Sequence, residues 1–395
     1  MEQILQKHFK FNKFLPLQEE IISSVLSRKD TLAILPTGGG KSMCYQLPAM
    51  VFDGLTIVVS PLIALMKDQV LDLQSLNIPA AYLNSSLGVK EERRIKEDLL
   101  NKKIKILYVA PERLLKPEFI DFISDQSVSL VAIDEAHCIS EWGHDFRPEY
   151  RNLHKVREIF KNVPIIALTA SATAKTRKDI VTQLRFTDYN LFCGGFDRKN
   201  LHYSIRPKQE AYYHILSYIE DRKGQSGIIY CHSRATADKI TEQLTADGIE
   251  AKAYHAGLTP KERSANQEAF MKNEAQIMVA TVAFGMGIDK PDIRFVIHYD
   301  LPKNIESYYQ ETGRAGRDGN PADCILFFSL RDKIKHEFLM NKWENHALSN
   351  IAKDKLEAMS AFCTSYRCRR KMLLNYFGEE YTEEICSGCD VCAFE

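Results

Sequence analysis

The chain has 395 residues, enough for more than one core at the usual ~100–200 residues per domain. Hydrophobic residues make up 45% and charged residues 26%, the balance of a globular protein rather than a disordered or fibrous one. Formal net charge is zero, so composition gives no sign of a polyanion partner, and any basic face has to be assembled by the fold.

No apolar run approaches the ~20 residues that cross a bilayer, and Met1-Glu2-Gln3-Ile4 carries no basic-then-apolar leader. No membrane partner is expected. The expected setting is the cytoplasm or nucleoid if bacterial, the nucleus if eukaryotic. There, cysteines serve as metal ligands or packed thiols rather than disulfides. Short apolar runs at 31–35, 55–60, 104–110, 130–133 and 164–169 read as buried parallel strands between helical stretches, an open α/β sheet. A second series at 227–231, 251–254, 277–281, 295–299 and 323–328 predicts a second α/β lobe. Cys193-Gly194-Gly195 is the expected joint, as a hinge or a plain turn. From Arg331 the strands stop, and 348–377 reads as helix. The predicted division is 1–194, 195–330 and 331–395.

The most informative stretch is Leu35-Pro36-Thr37-Gly38-Gly39-Gly40-Lys41-Ser42. A strand precedes it, and a helix can start after it. Glycines let backbone N–H groups turn onto phosphate oxygens, Lys41 can reach the outer phosphates, and the Ser42 hydroxyl can bind Mg²⁺. A glycine turn with a solvated lysine is the plain alternative. Asp134-Glu135-Ala136-His137 follows a strand, where α/β sheets bind ligands. Asp134 suits Mg²⁺ on a nucleotide and Glu135 a general base on water; a helix cap is the alternative.

Cysteines gather near the C-terminus. Cys368, Cys386, Cys389 and Cys392 have paired Cys-x₂-Cys spacing, which lets four thiolates converge on tetrahedral Zn²⁺. Cys363 falls outside that pattern. Cys44, Cys138, Cys193, Cys231 and Cys324 stand in apolar surroundings and are expected to pack. Arg367, Arg369, Arg370 and Lys371 form either a basic patch or a solvated helix face.

These motifs together resemble a superfamily 2 helicase core, and more closely the RecQ family of DNA helicases. The resemblance covers almost the whole chain. It implies two tandem RecA-like parallel-sheet lobes followed by a small helical zinc-binding subdomain. Thr37–Ser42 is similar to motif I, 60–69 to motif Ia, 110–114 to Ib and 169–173 to motif III. Gln18 matches the adenine-reading glutamine and Phe11 the adenine-stacking aromatic. Leu15 departs from the family's usual arginine, which removes a guanidinium that could stack on the base. Segment 138–150, with Trp142, Phe146, Arg147 and Tyr150, resembles the aromatic-rich loop, and the resemblance gives Trp142, Phe146 and Arg147 a single-stranded DNA sensor role. Aromatics beside arginine suit base stacking. His137 and His144 either relay that signal or simply pack. Thr281 and Asp289 lie in a segment similar to motif V, as a phosphate contact and a ribose or interlobe contact.

Tyr308–Gly319 is similar to motif VI. There Arg314 and Arg317 read as arginine fingers that neutralise charge on the transferred phosphoryl group, projecting together from a helix turn, and Gln310 orients water or senses the γ-phosphate. The resemblance implies a 3′-to-5′ helicase that hydrolyses ATP in a cleft between two lobes, with ATP, Mg²⁺ and Zn²⁺, on single-stranded and tailed duplex DNA. RecQ-like chains usually continue past this point into a winged helix, so a DNA-stimulated translocase or annealing factor with little unwinding is the alternative expectation. An RNA helicase and a non-enzymatic scaffold fit the aromatic-rich loop and the full set of catalytic residue types less well.

Overall fold

The computed structural model describes residues 1–84, 87–282, 284 and 290–394. The chain divides into two compact units, Met1–Gly195 and Phe196–Glu395. The helical C-terminal region belongs to the second.

The first unit is built on seven strands: β1 (Asp30–Ile34), β2 (Leu55–Val59), β3 (Ala80–Leu83), β4 (Ile106–Val109), β5 (Val128–Ile133), β6 (Ile165–Thr169) and β7 (Tyr189–Cys193). Their order is β3-β4-β2-β5-β6-β1-β7, and every pairing is parallel. The inner strands are buried on both faces, which is why they read as unbroken apolar runs. Successive residues serve opposite cores: Ile57, Val59, Val131 and Ile133 face one, while Val58, Leu130 and Ala132 face the other.

The second unit holds β8 (Leu201–Pro207), β9 (Ser226–Tyr230), β10 (Ala251–Tyr254), β11 (Ile277–Ala280), β12 (Ile293–His298) and β13 (Ala322–Phe328). The order is β10-β11-β9-β12-β13-β8, again all parallel. Every apolar run predicted as a strand is one. The strands that escaped prediction, β3, β7 and β8, are sheet edges. Their burial is patchy, so no run marks them.

Three expectations need correction. Cys193 closes β7 and is exposed rather than packed; the next residue continues the pairing, with Gly194 N–H donating to Ile34 O at 2.7 Å. The predicted helix over 348–377 is two helices, His346–Thr364 and Arg369–Phe377. The break lets Cys368 cap the second, its Sγ accepting from Lys371 N at 3.5 Å. Arg369 and Arg370 are buried, not a basic surface. Arg369 pairs with Asp390 at 3.0 Å, and Arg370 pairs with Asp197.

The cysteine-bearing hairpin covers the edge of the second sheet. Tyr203 N–H donates to Gly388 O at 3.0 Å, and Asp390 N–H donates to Tyr203 O at 2.9 Å. This hides the edge strand β8 from further pairing. No helix among the described residues is long and apolar enough to cross a membrane.

Gly227 lies under the ring of its register partner Phe295. A Cβ there would fall 1.9 Å from a ring carbon, and Phe295 is fully buried. Gly227→Ala should therefore destabilise the second unit by ~1–3 kcal/mol through overpacking, read by urea unfolding. Combined with Phe295→Leu, the loss should be smaller than the two single losses added. An unchanged urea midpoint for Gly227→Ala would contradict this.

Candidate functional site

In the first unit, β6 lies between β5 and β1, so three carboxyl ends stand side by side. The glycine cradle follows β1. Gly38 and Gly40 sit at φ 84° and 69°, where a side chain would be strained. A Cβ on Gly40 would also strike Gln18 Nε2 at 2.1 Å. Gln18 is buried; its Nε2 donates to Gly40 O at 3.0 Å, and its Oε1 accepts from Leu15 N at 2.7 Å. The segment carrying Leu15 is thus tied to the cradle. Phe11 is exposed. Lys41 Nζ folds back to 3.5 Å from Leu35 O. Ser42 precedes the helix Met43–Val51 without a side-chain capping bond, and Thr37 and Gly39 complete the turn, with Gly39 N–H donating to Pro36 O at 2.9 Å.

Asp134 and Glu135 leave β5. Asp134 N–H donates to Val59 O at 2.9 Å, and its Oδ1 accepts from Glu135 N at 2.9 Å. Glu135 adopts a left-handed backbone at φ 48°. For a non-glycine residue this stores about 1–3 kcal/mol, and such strain clusters at functional sites. Burial, and then the Glu135 charge, push Asp134 up to about 7, while the Lys41 ammonium pulls it back. That electrostatic pull of Lys41 couples cradle and acid pair.

Thr169, at the end of β6, bridges the two. Its carbonyl accepts from Leu35 N at 3.1 Å, and its Oγ1 lies 3.0 Å from His137 Nδ1. The same His137 nitrogen is 3.2 Å from Glu135 Oε2. Burial alone would keep the ring neutral, but Cys138 and the Glu135 carboxylate carry it above the usual histidine range. Sequence reasoning placed Thr169 in a motif by resemblance alone. Its bridging contacts come from strand order, which no local pattern reports.

The 138–150 segment folds back on this centre. His144 stacks on His137 with centroids 4.0 Å apart. A Cβ on Gly143 would meet His137 O at 2.1 Å, so only glycine allows that approach. Trp142 is half-buried, with Lys175 Nζ 4.5 Å from its ring centroid and its carbonyl accepting from Thr176 Oγ1 at 3.2 Å. Phe146 is half-buried. Tyr150 is not an exposed aromatic: it is fully buried, with its hydroxyl donating to Asp134 O at 3.2 Å. Arg147 is a latch, donating to Pro61 O at 2.9 Å and to Asp145 Oδ2 at 3.0 Å.

In the second unit, the helix Ile305–Thr312 carries Gln310, half-buried. Arg314 and Arg317 stand on the turn after it, not on the helix, where the negative end of the helix dipole favours cations. Arg314 is buried, and its Nε has no hydrogen-bond partner among the described residues. A buried guanidinium N–H left open suits an anionic ligand. Thr281 is buried just past β11, its N–H donating to Tyr254 O at 3.1 Å. Asp289 lies outside the described residues.

The ligand atoms of Cys368, Cys386, Cys389 and Cys392 all lie within 4.8 Å of one another, a fit for one tetrahedral Zn²⁺. Cys363 is buried elsewhere in its helix and is not among them. Burial pushes Cys386 up to about 11 and Cys392 to about 12. Burial would raise Cys389 too, but N–H groups of Cys392 and Arg369 bring it below the ordinary thiol value. Zinc, when bound, would take all four as thiolates and staple the hairpin to the helix Arg369–Phe377.

Because zinc must displace thiol protons, its hold should weaken as pH falls. Chelator-trapped release should rise on acidification from roughly pH 8 to pH 5. Cys386→Ser and Cys389→Ser should lose most of the metal by atomic absorption, and Cys363→Ser none. Equal zinc content in all three would rule the cluster out.

The Asp134–Glu135 pair gives a second prediction, for the protein free of magnesium and nucleotide. Asp134 is raised in the folded state, so the folded chain binds the extra proton, and stability falls as pH rises from about 4 to about 7. Asp134→Asn should remove that slope, stabilising the first unit by a few kcal/mol, on the order of the shift, at pH 8 and by almost nothing near pH 4. A gain of equal size at both pH values would show that the cost is not electrostatic.

Three family models match the chain: DEAD/DEAH box helicase over 15–180, helicase conserved C-terminal domain over 207–319, and RecQ zinc-binding over 330–393. The ATP-dependent DNA helicase RecQ of Pasteurella multocida is 47% identical over 98% of this chain and 61% of its own length. That of Bacillus subtilis is 44% identical over 99% of this chain and 66% of its own length. The chain thus spans less than two thirds of these relatives. Among solved structures, Mss116 bound to single-stranded RNA aligns with a TM-score of 0.70 at 16% identity, covering 95% of this chain and 90% of that one. Mycobacterium smegmatis Lhr, bound to single-stranded DNA and AMP-PNP, aligns at 0.66 and 18%, covering 91% of this chain and 57% of that one. At such identity these two show the fold alone, two RecA-like parallel-sheet lobes. The cysteine cluster falls inside the zinc-binding match, and the cradle and acid pair fall inside the DEAD/DEAH match. The chain belongs to the RecQ family, carrying its helicase core and its zinc-binding region.

Proposed function

We propose that this chain is an ATP-dependent DNA helicase that moves 3′ to 5′ along a single strand, with hydrolysis stimulated by bound DNA. The observation that carries this reading is the Thr169 bridge between cradle and acid pair, with the 138–150 loop hydrogen-bonded to the same acid segment. A site that joins a phosphate cradle to a loop bearing aromatics and arginine suits coupling of strand binding to phosphate chemistry. Similarity to the DNA helicases RecQ of Pasteurella multocida and Bacillus subtilis supports DNA as the strand.

In this reading Thr37, Gly38, Gly39, Gly40 and Lys41 hold the phosphates through backbone N–H groups and the ammonium. Ser42 and Asp134 hold Mg²⁺, whose charge would also settle Asp134 as carboxylate. Glu135 takes the proton from the attacking water. Phe11 and Gln18 receive adenine, with less stacking than an arginine at Leu15 would give. Gln310, Arg314 and Arg317 serve the γ-phosphate, and Asp289 the ribose. A DNA phosphate competes with Pro61 O and Asp145 for Arg147, while Trp142 and Phe146 stack on bases. Because Arg147 N–H also holds Cys138 O at 3.0 Å, release of this latch reaches His137 and Glu135. Thr281 contacts the strand backbone. Such a protein acts on single-stranded and tailed duplex DNA in recombination, repair or replication, in the nucleoid or the nucleus.

The test is ATP hydrolysis with and without single-stranded DNA, together with unwinding of a 3′-tailed duplex. Lys41→Ala should cut hydrolysis by ~10²-fold or more while DNA still binds. Trp142→Ala should bind DNA and lose the stimulation. Near-normal turnover in Lys41→Ala would sink the nucleotide site, and intact stimulation in Trp142→Ala would sink the sensor.

A further inference from the structure

Phe196-Asp197-Arg198-Lys199-Asn200-Leu201 enters β8 and has no role in the reading above. Two of its side chains, Arg198 and Asn200, are committed to one place. Arg198 Nη1 donates to Gly313 O at 3.1 Å, and Nη2 donates to Ala315 O at 2.9 Å and Gly316 O at 3.0 Å. Asn200 Nδ2 donates to Gly316 O and to Asn320 O, each at 2.8 Å. The carbonyls of 313, 315 and 316 lie on the turn that follows the helix Ile305–Thr312. They belong to the backbone that carries Arg314 and Arg317. Gly316 holds a positive φ of 56°, and a Cβ there would strike Asn200 Nδ2 at 2.4 Å.

Arg198 is itself held from behind. Arg370 is buried; it donates to Asp197, to Arg198 O at 2.9 Å and to Leu201 O at 2.7 Å. Its other side lies against the cysteine hairpin, where a Cβ on Gly388 would come 2.7 Å from Arg370 Nη2. The brace thus runs from hairpin to Arg370, to the 197–201 backbone, to the Arg198 fork, to the turn.

We propose that Arg198 is a positioning residue for ATP hydrolysis: its fork fixes the 313–317 turn so that Arg314 and Arg317 present their guanidinium groups in one fixed geometry. This rests on the reading that those two arginines serve the γ-phosphate. A planar fork spanning three carbonyls does what the single head of a lysine cannot. Misplacing a charged group by about 1 Å can cost on the order of 10²-fold in rate.

The experiment compares Arg198→Met, Arg317→Ala and the double variant, scoring kcat, KM for ATP, single-stranded DNA affinity by anisotropy, and thermal melting. Arg198→Met should lower kcat roughly 10- to 100-fold, with KM and DNA affinity within about twofold of the parent. Added to Arg317→Ala it should cost little more, because both remove one function. A merely structural arginine would lower the melting temperature and leave kcat of the folded protein alone, and its effect would multiply in full with Arg317→Ala; either result overturns the proposal. Should Arg198→Met not fold, Arg198→Lys keeps the charge and loses the span, and a parental kcat there overturns the proposal equally. Parental kcat in Arg317→Ala would sink the arginine reading and this one with it. Slow Arg317→Ala beside parental Arg198→Met would sink only the role of Arg198.

Discussion

Thr169 carries the two contacts that join the glycine cradle of the first unit to its acid pair. Its carbonyl fixes Leu35, where the cradle opens, and its hydroxyl meets His137, which meets Glu135. Each such contact contributes only about 1 kcal/mol net. Their effect comes from what they join. With β6 between β1 and β5, a shift of the cradle is felt at the acid pair without any long lever. The sheet, buried on both faces and close-packed, resists the motion elsewhere. Burial of Asp134 and the left-handed turn at Glu135 are costs that the rest of the first unit offsets, since both would relax in a looser setting.

What the sequence disclosed follows burial. Strands covered on both faces became apolar runs, and nine of the ten legible strands are of that kind; β10, an edge strand with a half-exposed pattern, was legible from its Ala and Tyr residues alone. β3, β7 and β8 lie at sheet edges, where burial is irregular, and LHYSIRP over Leu201–Pro207 has no pattern to find. Glycine and cysteine positions were legible because backbone geometry and metal geometry each demand a residue type at a fixed spacing. The helix break at 365–368 was not, because no proline or glycine marks it in Ser365-Tyr366-Arg367-Cys368; the break places Cys368 beside its three partners. Tyr150, Arg369 and Arg370 were misplaced for one reason. Their partners Asp134, Asp390 and Asp197 are distant in sequence, and a charged or hydroxyl-bearing residue looks the same whether it faces water or a buried partner.

The buried arginines of the second unit differ in how far their donors are filled. Burying a guanidinium costs several kcal/mol unless its N–H groups find acceptors. Arg369 meets Asp390 and the carbonyls of Phe362 and Ser365. Arg370 meets Asp197 and two more carbonyls. These forks are occupied by the fold itself and have little left for a ligand. Arg314 is buried to the same degree, yet its Nε faces no acceptor among the described residues. A chain that fills the forks of Arg369 and Arg370 so thoroughly, and then seats Arg314 on a turn pinned by Arg198 and Asn200, holds that guanidinium against the Tyr230 hydroxyl with its Nε–H still open. An anion arriving at the turn would supply the missing acceptor, and the rigidity of the turn would keep the guanidinium from relaxing toward some nearer carbonyl before then.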